Sequence, residues 1–168
     1  HGKMNPGRLL YMWSLWLSVS SRCLLPAQDG YQQKNFTTEH GLSHNVIYSI
    51  ARDTTGFLWL ATWDGLSRFD GNEFRNYYHA PGDPETIPFF IPNKVHIDPL
   101  NNVWILTWGH PVFIYDRAND NFRPALSGEL REVKARDIIS DSENHTWISL
   151  DSVLLRFDPS TQGVTTFR

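Results

Sequence analysis

Short apolar segments separated by polar turns recur along the chain from about residue 44 to residue 168. Residues 46–51 are predicted to form a half-buried β-strand. A polar turn led by Asp53 follows, and the apolar run at residues 57–62 then indicates a second strand. The pattern predicts β-structure throughout this part of the chain.

The same arrangement occurs three times with a nearly constant period. In each copy a tryptophan lies six residues after an aspartate, and a glycine or asparagine lies three residues after that aspartate. Successive tryptophans are 45 and 43 residues apart. The residues are Asp53, Gly56 and Trp59 in the first copy, Asp98, Asn101 and Trp104 in the second, and Asp141, Asn144 and Trp147 in the third. A fixed period of this length is typical of a repeat architecture.

Each unit is predicted to form four short antiparallel strands. The aspartate side chain is expected to cap its turn by accepting hydrogen bonds from backbone N–H groups, and glycine or asparagine tolerates a positive φ there. The tryptophans are expected to pack between neighbouring sheets, because one unit of this size cannot bury both of its faces alone. The predicted fold class is therefore all-β, with about three four-stranded antiparallel blades of a larger β-propeller.

The repeats set the predicted domain boundaries. Repeat 1 covers about residues 44–78, repeat 2 about 90–124 and repeat 3 about 133–168, within a partial propeller at 28–168. Residues 31–37, which include Phe36, are predicted as the outer strand of a preceding or closing blade. Three blades leave two open sheet faces, so we expect the chain to form a homodimer, to aggregate, or to join the remaining blades of a longer chain.

The first 27 residues are predicted to be a signal peptide, with an upstream extension at residues 1–3. Basic residues precede an apolar run at residues 9–19, and a small residue, Ala27, offers a cleavage point. Two alternatives stay open: lipidation at Cys23, against which Arg22 directly before it argues, and a buried core helix. Export predicts a periplasmic location, with membrane anchoring only through parts absent from this chain.

Composition narrows the classes of function. A net charge of −3 and a pI near 6.1 provide no basic surface for nucleic acid, because affinity for its phosphates depends on clustered lysine and arginine. The sequence has one cysteine, and its histidines show no metal-ligand spacing. We find no catalytic arrangement, phosphate loop or cofactor motif, so the chain is predicted not to be an enzyme and to need no cofactor.

The first repeat resembles the two-component regulator propeller repeats. The stretches that carry the resemblance are Gly41-Leu42-Ser43-His44-Asn45-Val46, Gly56-Phe57-Leu58-Trp59-Leu60, Asp64-Gly65-Leu66 and Arg68-Phe69-Asp70. The second and third repeats depart from the family's Gly-Leu pattern at residues 109–112 and 149–153. The resemblance implies the periplasmic sensor region of a hybrid two-component histidine kinase of the Bacteroidetes kind. It further implies oligosaccharides from glycan breakdown as ligands and signalling domains elsewhere in a longer chain.

A ligand is expected on one propeller face, where the loops into the first strand and between the second and third strands meet. The candidate residues are His44, Asn45, Trp63, Asp64, Asn93, Trp108, His110, Arg136 and Asp151, with Phe89 and Lys134 nearby. Aromatic rings stack on the C–H faces of sugars while short polar side chains bind the hydroxyl groups. The alternative for Trp63 and Trp108 is packing against the next blade.

Two further functions remain open on the sequence alone. One is a free-standing carbohydrate-binding or scaffold propeller, and the other is a propeller-based polysaccharide lyase or hydrolase. Binding without turnover favours the first, whereas product formation that depends on one carboxylate favours the second.

Overall fold

The computed structural model describes residues 33–82, 86–88 and 91–168. The predicted signal segment and Cys23 lie outside the described residues, as does Phe89. The described part is all-β and consists of three four-stranded antiparallel sheets, which confirms the predicted fold class. No helix in the described residues is long and apolar enough to cross a membrane.

Each sheet is formed by consecutive strands and lies within one predicted repeat. The first sheet comprises β1 (Ile47–Arg52), β2 (Leu58–Thr62), β3 (Gly65–Phe69) and β4 (Phe74–Tyr77). The second comprises β5 (Pro92–Ile97), β6 (Val103–Thr107), β7 (Phe113–Asp116) and β8 (Asn121–Pro124). The third comprises β9 (Asp137–Ser140), β10 (Thr146–Ser149), β11 (Leu154–Asp158) and β12 (Gly163–Phe167). Short 3-10 helices lie at Thr38–His40 and Gly128–Glu132.

The turn between the first and second strands has the same geometry in all three sheets. Gly56, Asn101 and Asn144 have φ values of 102°, 66° and 70°. In each turn the backbone N–H of that residue donates to the carbonyl of the leading aspartate, at 3.1, 2.9 and 3.3 Å. The residue after it donates its own N–H to the aspartate Oδ1, at 3.0, 2.7 and 2.9 Å. The aspartate side chain therefore caps each turn.

The same aspartates also bind the tryptophans of the following strand. The indole Nε1–H donates to aspartate Oδ2 at 3.1 Å from Trp59, 2.9 Å from Trp104 and 2.6 Å from Trp147. Asp53 and Asp98 are themselves buried. The bond satisfies an indole N–H that burial would otherwise leave without a partner, which is costly in a protein interior.

Aromatic contacts join each sheet to the next. The Trp59 ring lies 4.7 Å from the ring of Tyr115 in the second sheet, and the Trp104 ring lies 5.1 Å from that of Phe157 in the third. One apolar core lies between the first and second sheets and another between the second and third. Both tryptophans are fully buried in these cores, so the repeats stabilise one another by stacking.

The two end faces of the stack differ. On the first sheet, Phe36 packs 4.9 Å from Phe69, the residue equivalent to Tyr115, and Leu42 is buried there too. Residues 33–37 are not in a strand, and the outer strand predicted for 31–37 stays a prediction. On the third sheet Trp147 is only half-buried, because no further sheet covers that face among the described residues.

The first prediction concerns acid stability. Burial raises the pKa of Asp53, but hydrogen bonds from Thr55, Trp59 and Arg117 outweigh it and lower the pKa from 3.8 to about 2. A lowered folded-state pKa contributes stability above pH 3.8 that is lost as the pH falls toward 2, and this shift corresponds to about 2 kcal/mol. Asp53→Asn should therefore lower the free energy of unfolding at pH 7, and its deficit should shrink between pH 4 and 2.

Urea unfolding followed by tryptophan fluorescence at several pH values measures this difference. Asp64→Asn removes an exposed carboxylate and serves as the control for the loss of one negative charge. A deficit of Asp53→Asn that stayed constant down to pH 2 would contradict the assignment.

The second prediction compares two equivalent tryptophans. Trp104→Phe removes an indole from a closed core and deletes the Nε1–H that donates to Asp98 Oδ2, so we expect a loss of about 1–3 kcal/mol in the free energy of unfolding. Trp147→Phe should cost clearly less, because its ring is partly exposed. Chemical denaturation monitored by circular dichroism checks both variants, and equal losses would count against the stacking account.

Candidate ligand-binding face

The loops predicted to meet a ligand lie on one edge of all three sheets. The antiparallel registers place the start of each first strand opposite the end of its second strand, as Ile47 opposite Thr62, Pro92 opposite Thr107 and Asp137 opposite Ser149. The loops before the first strands and those between the second and third strands therefore share this edge. We call it the loop face; its segments are residues 44–46, 62–65, 107–112, 133–136 and 149–153.

The first strands of neighbouring sheets contact each other and bring the loop segments together. Ser49 Oγ accepts a hydrogen bond from the Val95 N–H at 3.1 Å, and His96 Nε2 lies 2.8 Å from Ser140 Oγ. Lys94 forms an ion pair with Asp137 across the second and third sheets. Burial lowers the pKa of His96, and Lys94 lowers it further, so its imidazole is neutral at pH 7.

Exposed aromatic rings form a row along the loop face. Trp63 and Trp108 are 51% and 55% exposed, so about half of each side chain is open to solvent. Trp108 also contacts Tyr48 of the neighbouring first sheet, as expected for packing against an adjacent blade. Tyr48, on strand β1, lies between them, with its ring 6.4 Å from that of Trp63 and 5.2 Å from that of Trp108. We call these three residues the aromatic row. Tyr48 was not predicted as a site residue, because its position within strand β1 does not show which residue of a neighbouring blade its ring contacts.

A polar pocket of about 230 Å³ adjoins the aromatic row between the second and third sheets. We call it the inter-blade pocket; its lining is Asn93, Thr107, Trp108, Gly109, Lys134, Ala135, Arg136 and Asp151. Four of the sequence-predicted residues thus meet here, namely Asn93, Trp108, Arg136 and Asp151. Trp108 belongs to both the row and the pocket, so the two form a continuous surface.

Contacts within the inter-blade pocket determine the ionisation of Asp151 and leave one amide oxygen without a hydrogen-bond partner among the described residues. Arg136 Nε donates to Asp151 Oδ1 at 2.5 Å, and this contact lowers the pKa of the Asp151 carboxyl, so the aspartate is ionised at neutral pH. The carboxamide oxygen of Asn93 is buried and has no hydrogen-bond partner among the described residues. Such a group is uncommon in folded proteins and marks a place where a donor is expected.

The other predicted residues lie on the loop face outside the pocket lining. His44 Nδ1 accepts a hydrogen bond from the Val46 N–H at 3.0 Å, and Asn45 Oδ1 accepts one from the Thr38 N–H at 2.9 Å. Both side chains therefore bind the local backbone. Asp64 is exposed beside Trp63, and His110 is half-buried in the loop between β6 and β7. No group of three or more His, Cys, Asp or Glu side chains among the described residues could hold a metal ion.

Buried hydroxyl groups support the loop that carries Trp63. Ser43 Oγ lies 2.9 Å from Thr62 Oγ1 and 2.7 Å from Ser67 Oγ. Thr62 Oγ1 also donates to the Gly65 carbonyl at 2.9 Å, which closes the turn around Trp63 and Asp64. This network gives Ser43 a structural role, because its hydroxyl group supports the turn that carries Trp63.

Comparison with known proteins identifies the repeat. Residues 41–64 match a family model described as two component regulator propeller. This chain carries a two-component regulator propeller repeat. It is also 43% identical over 54 residues to histidine kinase P4 of Formosa agariphila, a match that covers 32% of this chain and 4% of the kinase. The family resemblance predicted from the sequence is confirmed.

Solved structures show the same architecture. The extracellular domain of a putative hybrid two component system from B. thetaiotaomicron is 26% identical, with a TM-score of 0.68 over 80% of this chain and 20% of that one. Virginiamycin B lyase from Staphylococcus aureus (15% identical, TM-score 0.53, 73% of this chain and 41% of the lyase) shares the fold alone. The chain spans 4% of the length of the kinase and 20% of the extracellular domain that it resembles.

The third prediction tests the turn that presents Trp63. Gly65 has a φ of 87°, and a Cβ there would overlap the carbonyl oxygen of Tyr77 on β4. Gly56 has a φ of 102° with open space around it. Gly56→Ala should therefore cost only the backbone strain of about 1–2 kcal/mol, whereas Gly65→Ala adds a backbone clash and should cost more.

Thermal unfolding of the two variants measures the difference. Gly65→Ala should also change the tryptophan emission of the folded state, because Trp63 lies in the same turn. Equal destabilisation of both variants with unchanged emission would show that the turn accommodates a side chain.

Proposed function

We propose that this chain is a sensor segment of an exported hybrid two-component regulator and that it recognises oligosaccharides on the loop face. The observation that carries the proposal is the aromatic row of Tyr48, Trp63 and Trp108 beside the inter-blade pocket. The propeller holds this surface on a rigid scaffold. The family match and the extracellular sensor relative support the sensing role.

The chemistry of the loop face suits sugars. Exposed indole rings provide flat apolar platforms for the C–H faces of pyranose rings, and they lose little conformational freedom on binding. The amide of Asn93 and the charged groups of the pocket then bind hydroxyl groups and give specificity. An apolar ligand would leave these polar groups without partners.

Recognition without turnover fits the state of the acidic residue in the pocket. A general acid needs a pKa near the working pH, whereas the Arg136 contact lowers that of Asp151. The lyase relative shares only the fold. We therefore propose a binding role rather than a catalytic one.

Further blades of a longer chain are proposed to cover the third sheet. Trp59 and Trp104 each contact an aromatic residue of the following sheet, and Trp147 offers the same ring on an open face. Ile139 and Leu154 are exposed on that face as well. The small share of each sensor relative that this chain covers supports the same arrangement, and the extracellular relative supports a periplasmic location.

The fourth prediction tests sugar recognition directly. Screening the purified chain on an oligosaccharide array should identify ligands, and isothermal titration calorimetry should then give their affinity. Trp63→Ala and Trp108→Ala should each weaken binding about 10-fold or more, by analogy with nucleobases, whose stacking on one aromatic ring is worth roughly 1–3 kcal/mol.

Leu100→Ala is the matched control. Leu100 is 54% exposed, similar to the two tryptophans, but it lies in the aspartate-led turn at the opposite edge of the second sheet. Loss of affinity in the tryptophan variants with normal binding by Leu100→Ala supports the proposal. Array-wide absence of binding, or equal effects of all three substitutions, would refute it.

A further inference from the structure

We infer that the inter-blade pocket binds an acidic sugar residue that carries one negative charge, while the adjoining neutral residues of the oligosaccharide lie on the aromatic row. The inference rests on the proposed function and specifies its ligand class. It follows from the charge, the unpartnered amide and the size of the pocket, taken together.

The charges of the lining leave one positive charge uncompensated. Arg136 and Asp151 neutralise each other through their ion pair at 2.5 Å. Lys134 lines the same pocket, is exposed, and forms no hydrogen bond or ion pair within the described part of the chain. A ligand with a single negative charge therefore complements the pocket, because its anion binds the ammonium group through a charge-assisted hydrogen bond.

The neighbouring cation does not change this balance. Lys94 lies on β5 and is already paired with Asp137, the first residue of β9. The carboxylate of Asp151 disfavours a dianion such as a phosphate monoester, since a second negative charge would lie near it without a free cation. A carboxylate or a sulfate ester on one sugar ring carries the single negative charge that complements the pocket.

The amide at the side of the pocket requires a hydroxyl donor on the same ligand. The Asn93 oxygen is buried and has no partner among the described residues, so we infer that a ligand hydroxyl supplies the donor that this group lacks. Chloride and sulfate have no such donor. The pair of Lys134 and Asn93 thus selects a group that carries both an anion and hydroxyls, which is the composition of an acidic sugar.

The dimensions limit the pocket to one ring. Its volume of about 230 Å³ lies below the roughly 300–1,000 Å³ of sites for drug-sized molecules. Trp108 forms one wall and continues into the row toward Tyr48 and Trp63. The acidic residue therefore occupies the pocket, and its neighbours in the oligosaccharide extend across exposed aromatic rings.

The experiment compares matched ligands by isothermal titration calorimetry on the purified chain. The acidic probes are oligosaccharides of galacturonate, glucuronate, mannuronate and guluronate, each paired with its neutral methyl ester, and sulfated galacto-oligosaccharides paired with their desulfated forms. We expect an acidic probe to bind about 10-fold or more tightly than its neutral partner, with affinity that falls as salt increases. The carboxylate and sulfate series identify which anion is recognised.

Lys134→Gln should abolish this preference, so that acidic and neutral partners bind with equal affinity, and Lys134→Arg should retain it. Arg123→Gln is the control for net charge, because Arg123 is exposed on the outer strand β8 and does not line the inter-blade pocket. Circular dichroism verifies that each variant is folded. Equal binding of acidic and neutral partners, or a preference that survives Lys134→Gln, would overturn the inference while leaving sugar recognition intact. Absence of binding to every acidic and neutral sugar would remove both proposals.

Discussion

The hydrogen bond between the turn aspartate and the tryptophan six residues later is the interaction on which the rest of the structure depends. It occurs in all three repeats, at 3.1, 2.9 and 2.6 Å. One carboxylate closes the turn through its Oδ1 and orients the indole through its Oδ2. The orientation directs each ring toward the next sheet, where Tyr115 and Phe157 pack against Trp59 and Trp104. Local turn geometry and long-range stacking are therefore set by the same side chain.

This arrangement separates the parts of the blade that carry stability from those that can carry recognition. The aspartate-led turns lie at one edge of the sheets, and the loop face lies at the other, across strands only four to six residues long. The turn geometry is repeated, whereas the loops at residues 62–65, 107–112 and 149–153 differ in sequence and length. Because the tight turns already fix the strand register, the opposite loops tolerate this variation.

The period of the sequence was enough to predict the repeats, the turns and the edge on which the loops meet. Asp53, Gly56 and Trp59 form a local pattern, and local patterns can be interpreted from one sequence. The contacts between repeats could not be predicted in this way. Tyr48 meets Trp108 across 60 residues, and Arg117 reaches the buried Asp53 across 64 residues, at 3.1 Å. Such pairs depend on the rotation between neighbouring blades, and this rotation cannot be inferred from the spacing of residues within one repeat.

The position of the inter-blade pocket connects recognition with the stacking of the blades. Asn93, Thr107 and Trp108 come from the second repeat, whereas Lys134, Arg136 and Asp151 come from the third. A ligand in this pocket contacts two sheets at once, so its binding free energy adds to the packing between them rather than to either sheet alone. The same two sheets are joined beneath the pocket by the Lys94–Asp137 ion pair and the His96–Ser140 hydrogen bond. In the proposed complex, occupancy of the inter-blade pocket would therefore be coupled to the relative placement of the second and third blades through direct contact.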